Sequence, residues 1–310
     1  MKVAILPALR IITAVISIAV LIGLVLFIEP GKLFEAFQSV SAGHVVLGLG
    51  LVQVQIVLSA VRWRFTAARL GQTMPLTLAI REYYVASLLN QTLPGGMAGD
   101  ALRAYRGRSE AEGGWKRPAQ AVVLERLSGQ FAFFALTGIG LLAWPLLLSS
   151  EMPDGFGAVA GVAVMVLMAL ALVWLWRGAL PERFAGLKPD FAVVFWQDGA
   201  AFVQIGLSVV VVASYVATFF IASDAVGAPL PWVAAVTAVP LCLLAMLVPS
   251  AIGGWGTREA AAAAMWPLLG FSPGQGLSAS LLYGGISLAG ALPGLGDLAV
   301  AAWRGRIGRA

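Results

Sequence analysis

The stretch Leu93-Pro94-Gly95-Gly96-Met97-Ala98-Gly99-Asp100-Ala101-Leu102-Arg103 has a counterpart 155 residues later, Val248-Pro249-Ser250-Ala251-Ile252-Gly253-Gly254-Trp255-Gly256-Thr257-Arg258. A proline, a glycine and an arginine fall at the same offsets in both. Each stretch closes an apolar run, about 74–93 and about 231–248, and a short helix can resume after it. Proline has no backbone donor and ends the preceding helix. The glycines Gly95, Gly96, Gly99, Gly253, Gly254 and Gly256 allow tight turns and close approach. Backbone that leaves helical geometry at membrane depth survives only when it is buried in protein or lines a wet cavity. Both breaks are therefore expected to face inward.

The surroundings establish that membrane depth is the right frame. Of 310 residues, 60% are hydrophobic and 11% charged, with a mean hydropathy of +0.89. An ordinary soluble domain carries roughly 25% charge. Apolar runs long enough to cross a bilayer read at about 11–28, 43–61, 119–148, 157–176, 199–222 and 276–303. The first follows Lys2 and Arg10, as in a secretory signal, but it is too long and leads into Glu29-Pro30-Gly31-Lys32, with no small-residue cleavage site. It reads as a retained anchor.

Basic residues stay on the cytoplasmic side, and this rule orders the chain if the two broken segments turn back within the bilayer. Arg62, Arg64, Arg69, Arg81, Arg103, Arg106, Arg108, Lys116 and Arg117 then share a face with both termini, and the outer loops keep Lys32 alone. Each half, about 1–150 and 151–310, reads span, span, broken hairpin, span. Three crossings per half is an odd number, so the second half lies inverted. The expected fold is an all-α polytopic membrane protein, with six full spans and two re-entrant hairpins forming an inverted repeat.

Candidate site residues follow from the breaks. Half-helices starting near Asp100 and Thr257 would aim N-terminal N–H groups at the cavity, a favourable place for a phosphate or carboxylate. Arg103 and Arg258 stand one turn inside, where they either hold an anionic headgroup or fasten the hairpins by pairing with Asp100 and Glu259. Glu125 and Arg126 enter the third span in Val122–Gln130 and either line the cavity, with Glu125 bonded to Arg103, or snorkel at the helix end. Asn90 and Gln91 are placed to bond the broken backbone. Arg62-Trp63-Arg64 closes the second span and reads as an interfacial anchor, His44 as an interfacial residue, and Asp297 as a candidate proton or cation site or a hydrated residue near the inner surface. Gly157 to Gly161 and Gly290 to Gly294 have the spacing of close helix packing, and Ala260–Ala264 offers a smooth packing surface.

One cysteine, Cys242, and one histidine, His44, exclude a disulfide framework, a structural zinc site and a Cys/His relay within the chain. No metal or cofactor is expected. The net charge of +5 fits cytoplasmic loops and anionic headgroups, and no nucleic-acid partner is expected. Nucleotide, hydrolase and zinc-protease motifs are lacking.

Taken together, Leu93-Pro94-Gly95-Gly96 with Gly99-Asp100 and Arg103, Glu125-Arg126, and Pro249 with Gly253-Gly254, Gly256, Arg258 and Glu259 resemble the transmembrane domain of the lysylphosphatidylglycerol synthase/flippase family. The resemblance covers nearly the whole length. It implies movement of a phospholipid or lipid-linked headgroup between leaflets of the bacterial inner membrane. In two-part members a soluble C-terminal synthase makes the lipid. This chain stops at Ala310 after its last span, so aminoacyl transfer is not expected of it. Two rival readings are a non-catalytic membrane subunit that recruits a lipid-modifying enzyme or glycosyltransferase through Arg103–Arg117, and an ion-coupled carrier of a small solute that leans on Asp297 and the hairpins.

Overall fold

The computed structural model describes residues 30–108, 114–147, 187–247 and 252–307, with isolated positions elsewhere. The expected spans at 11–28 and 157–176, the pair Gly157 and Gly161, and Pro249 itself lie outside these residues. The described chain is helical. Its α-helices are α1 Pro30–Gln38, α2 Ala42–Arg69, α3 Leu76–Thr92, α4 Ala98–Arg106, α5 Lys116–Leu147, α6 Leu187–Phe195, α7 Ala200–Ala225, α8 Ala238–Ala245, α9 Thr257–Met265, α10 Pro273–Ala291 and α11 Pro293–Ile307.

Among the described residues four stretches are long and apolar enough to cross a membrane: Ala42–Arg69, Lys116–Trp144, Gln197–Ala225 and Pro273–Val300. They coincide with the second, third, fifth and sixth expected runs. The last is divided at Pro293, whose missing donor ends α10 and lets α11 start on a proline. Helix starts follow local chemistry. Ser41 caps α2, its Oγ accepting from the His44 N–H, and Ser272 caps α10 by accepting from the Gln275 N–H at 3.2 Å.

The order of elements recurs at the offset seen in sequence. Residues 42–69 of α2 map onto 197–224, within Gln197–Ala225, and α3 maps onto Trp232–Ala245. The proline near the start of α5, Pro118, maps onto Pro273 at the start of α10.

Helices in lipid gain little from hydrophobic exclusion, so their packing relies on small residues and polar contacts. The closest approach is at Gly140, where an added Cβ would lie 1.5 Å from the Val236 carbonyl oxygen. Gly290 and Gly294 stand on either side of the break at Pro293, and bring α10 against Val52 of α2 and α11 against the Tyr84 carbonyl of α3 respectively. Two cores result. One gathers Ile56, Trp63, Tyr83, Leu124 and Val194 around α2, α3 and α5, and the other gathers Phe219, Cys242, Trp266 and Tyr283 around α7 to α10.

The two breaks meet. Pro94 and Ile252 form an isolated antiparallel bridge, and Gly253 comes so near the first break that a Cβ there would lie 2.5 Å from Gln91 Cα. Gly253 also has φ of +56°, a conformation that side chains with a Cβ rarely adopt. Gly99 lets α4 fold back on α3: its Cβ would lie 2.2 Å from the Ala86 carbonyl oxygen.

Candidate functional site

Each half-helix is fastened by groups of the chain itself. At the start of α4, Asn90 Oδ1 accepts from the Gly99 N–H at 2.8 Å, and Asn90 Nδ2 donates to Asp100 at 3.2 Å. At the start of α9, Glu259 Oε2 accepts from the Gly256 N–H at 2.6 Å. Helix N-termini attract anions, and the anion received at α9 is the chain's own Glu259. Gln91 Nε2 donates to the carbonyl oxygens of Ser87 and Ser287, both at 3.3 Å.

Arg103 is fully buried. It donates to Asp100 at 2.9 Å and to Glu125 at 2.7 Å, and its guanidinium lies over the rings of Trp63 and Tyr83, 4.9 and 4.6 Å from their centroids. Glu125, with no exposed surface, also accepts from Arg62 Nη2 at 2.7 Å and from the Tyr83 hydroxyl at 3.1 Å. Arg126 reaches the second oxygen of Asp100 at 2.5 Å. Among the described residues, three guanidiniums therefore share two carboxylates, which leaves one unit of positive charge on the cluster. Ions enclosed in a membrane protein ordinarily pair, so the surplus distinguishes this group.

The second half holds a smaller version. Arg258 donates to Glu259 at 2.6 Å and to the Ser280 hydroxyl at 2.9 Å, and stacks on Trp255 and Tyr283 at 5.0 and 4.9 Å. By the offset of 155, Arg103 corresponds to Arg258 and Glu125 to Ser280, so the contact between these positions occurs in both halves. Gly129 and Gly284 correspond too. A Cβ at Gly129 would lie 3.0 Å from the Arg62 guanidinium, and one at Gly284 would lie 2.3 Å from that of Arg258.

Between these clusters lies a cavity of about 150 Å³. Its lining includes Arg62, Tyr83, Arg126, Gln130, Tyr215 and Tyr283, with Leu243, Leu244, Met246 and Leu247 contributed by the arm before the second break. Arg126 keeps 42% of its side chain exposed, yet its Nε, like Gln130 Oε1, is a buried polar atom without a hydrogen-bond partner among the described residues. Arg126 and Gln130 thus stand side by side in the lining, next to the surplus positive charge.

The sequence singled out Arg103 and Arg258 as groups that could meet a headgroup; in the structure neither lines the cavity. Each packs instead against a tyrosine that does. Arg126 lines it, while Asp100, Glu125, Glu259 and Asn90 hold the surrounding groups. Arg62-Trp63 requires a correction. Both are buried, at 4% and 3% exposure, and only Arg64 is exposed, donating to the Met74 carbonyl oxygen. The helix does not end at residue 61 but runs to Arg69, carrying Arg62 about 10 Å inside its end. Tyr83, Gln130, Tyr215 and Tyr283 were not singled out, because single polar residues in apolar runs resemble packing residues until partners from other helices arrive.

Asp297 pairs with Arg81 at 2.8 Å, and His44 lies 3.2 Å from Asp224. Cys242 is buried and unpaired, and the described residues hold no His/Cys/Asp/Glu group that could bind a metal.

No curated protein matches the chain in sequence. The family described as "Lysylphosphatidylglycerol synthase TM region" matches residues 14–294. With four membrane-length helical stretches among the described residues and a match over most of its length, this is a multi-pass membrane protein that belongs to the lysylphosphatidylglycerol synthase transmembrane-region family.

Proposed function

We propose that the chain is a lipid translocase of the bacterial inner membrane, moving a phospholipid or lipid-linked headgroup between leaflets through the cavity at the meeting of its two breaks. The supporting observation is the cluster of three arginines and two carboxylates, with Arg62 and the part-exposed Arg126 lining the cavity beside Gln130. Surplus positive charge away from bulk water favours an anion, as in a phosphodiester headgroup. Arg126 and Arg62 contact the phosphate, Gln130 accepts from a headgroup hydroxyl or amine, and Arg103 and Arg258 brace the wall through Tyr83 and Tyr283.

In this reading the two halves form an inverted repeat of six crossings and two re-entrant hairpins, with both termini cytoplasmic. The recurring elements, the matching Arg103–Glu125 and Arg258–Ser280 contacts, and the Pro94–Ile252 bridge support it. Hairpins entering from opposite faces and meeting near the midplane would form the path, while acyl chains stay in lipid or at the protein's flank. The rival readings draw less support. Asp297 is paired with Arg81, and within Arg103–Arg117 the residues Arg103, Arg106 and Arg117 hold acids of the chain itself.

The test is reconstitution into vesicles of phosphatidylethanolamine and phosphatidylglycerol containing fluorescent phosphatidylglycerol, with membrane-impermeant quenching of the outer leaflet. Quenching beyond the outer-leaflet half, absent from protein-free vesicles, is expected. Quenching that stops at half with folded protein present would contradict the proposal.

A further inference from the structure

A second cavity, of about 900 Å³, runs along the flank of the bundle between α5 and α7. Its lining on α7 extends from Gln204 to Ile221, about 25 Å at 1.5 Å per residue. That is most of the roughly 30 Å hydrocarbon thickness of a bilayer. The lining is apolar along most of this length, with Phe131, Leu136, Val216 and Phe220 among its walls, and polar at one end, where Ser128, Gln204 and Ser208 gather.

The polar end adjoins the headgroup cavity. Val212 lines both spaces, and Arg62, which lines the first, donates to Ser208, which lines the second, at 3.1 Å. Gln204 is 2% exposed. Its Nε2 donates to Thr66, while its Oε1 is buried without a partner among the described residues. A buried acceptor left unmatched is costly unless something supplies a donor. Gln204 itself lines the groove at its polar end, where the polar linker of a lipid would lie with its head in the first cavity and its tail in the second.

We infer that the α5–α7 groove holds an acyl chain of the lipid whose headgroup occupies the arginine-lined cavity, with the linker at Ser128, Gln204 and Ser208. The two spaces then form one amphipathic site for a long-chain anionic lipid. The inference rests on reading the first cavity as a headgroup site. It adds that the protein engages the tail as well as the head.

The test uses phosphatidylglycerol carrying a diazirine near the end of one acyl chain, photolysed with the purified full chain, together with dihexanoyl phosphatidylglycerol as a tail-poor probe of the headgroup cavity. Labelling is expected within residues 128–139 and 205–221 of the unmodified chain. Ala213 is small, exposed and lines the groove; A213W should lower that labelling about tenfold, equivalent to about 1.4 kcal/mol, and leave binding of the dihexanoyl probe unchanged. R126A should abolish dihexanoyl binding. A135W, from the opposite wall, serves if A213W does not fold.

Binding of the dihexanoyl probe without groove labelling, or labelling that survives both tryptophans, would overturn the tail site and leave the headgroup reading intact. Groove labelling without dihexanoyl binding would overturn the headgroup reading and the proposed union of the two spaces with it.

Discussion

Tyr83 and Tyr283 hold matching stations: each lines the central cavity, and each carries an arginine guanidinium stacked on its ring, Arg103 at 4.6 Å and Arg258 at 4.9 Å. The arginines following the two Pro/Gly breaks therefore stand one aromatic ring behind the cavity wall. Removing Arg103 leaves Asp100 and Glu125 in an enclosed site with fewer cations. The expected cost is about 3–5 kcal/mol, as for other broken buried pairs. R103A should unfold at distinctly lower temperature in detergent, whereas R64A, at an exposed position, should melt like the wild type. An unchanged melting temperature for R103A would remove its bracing role.

Glu125 is the acceptor shared by Arg62, Arg103 and Tyr83. Residues of one network do not contribute independently, and coupling energies run to about 0.5–3 kcal/mol. R62A and E125A should each destabilise strongly, and the double variant should lose clearly less than the sum. Strict additivity in denaturation measurements would argue against the network.

Close backbone approach gives a prediction with an internal control. G140A places a methyl group where the Val236 carbonyl oxygen stands, and G253A combines a clash on Gln91 with a positive φ. Each should cost about 1–3 kcal/mol or more. G206A, with nothing within 4 Å, should stay within about 1 kcal/mol of the wild type. Differential scanning fluorimetry of the three variants makes the comparison, and a neutral G140A would refute the contact between α5 and the turn at Val236.

Opposite entry of the hairpins predicts a labelling pattern. Trp232 and Arg108 are both exposed, near the ends of the second and first hairpins. In intact cells an impermeant maleimide should modify W232C and spare R108C until the membrane is opened. Cys242 is buried and should give little background. Modification of both from the same face would rule out the inverted arrangement.

Hydropathy located the four described spans because twenty or so consecutive apolar residues have few alternatives to crossing a bilayer. Proline and glycine located the breaks because donor loss and positive φ are local properties. Asn90 was legible for the same reason, its partner at Gly99 lying nine residues away, and so was the pairing of Arg258 with its neighbour Glu259; the Gly256 N–H that Glu259 also receives was not read. Arg62 was misplaced because its burial depends on α5 and α7, which supply Glu125 and Ser208 from 63 and 146 residues away. The cavity lining shares that difficulty. Tyr83, Gln130 and Tyr215 come from three helices, and no local spacing brings them together. The 155-residue offset could have paired Gly129 with Gly284, had it been extended past the motif itself.

The most direct measurement is leaflet-resolved movement of phosphatidylglycerol by the reconstituted R126A/Q130A variant, compared with wild type and with R64A. Hydrogen bonds to a charged group are worth about 1.5–3 kcal/mol, so the double variant should slow movement by about tenfold or more, while R64A proceeds at the wild-type rate. Undiminished movement by a folded R126A/Q130A protein would mean that the lipid does not pass through this cavity.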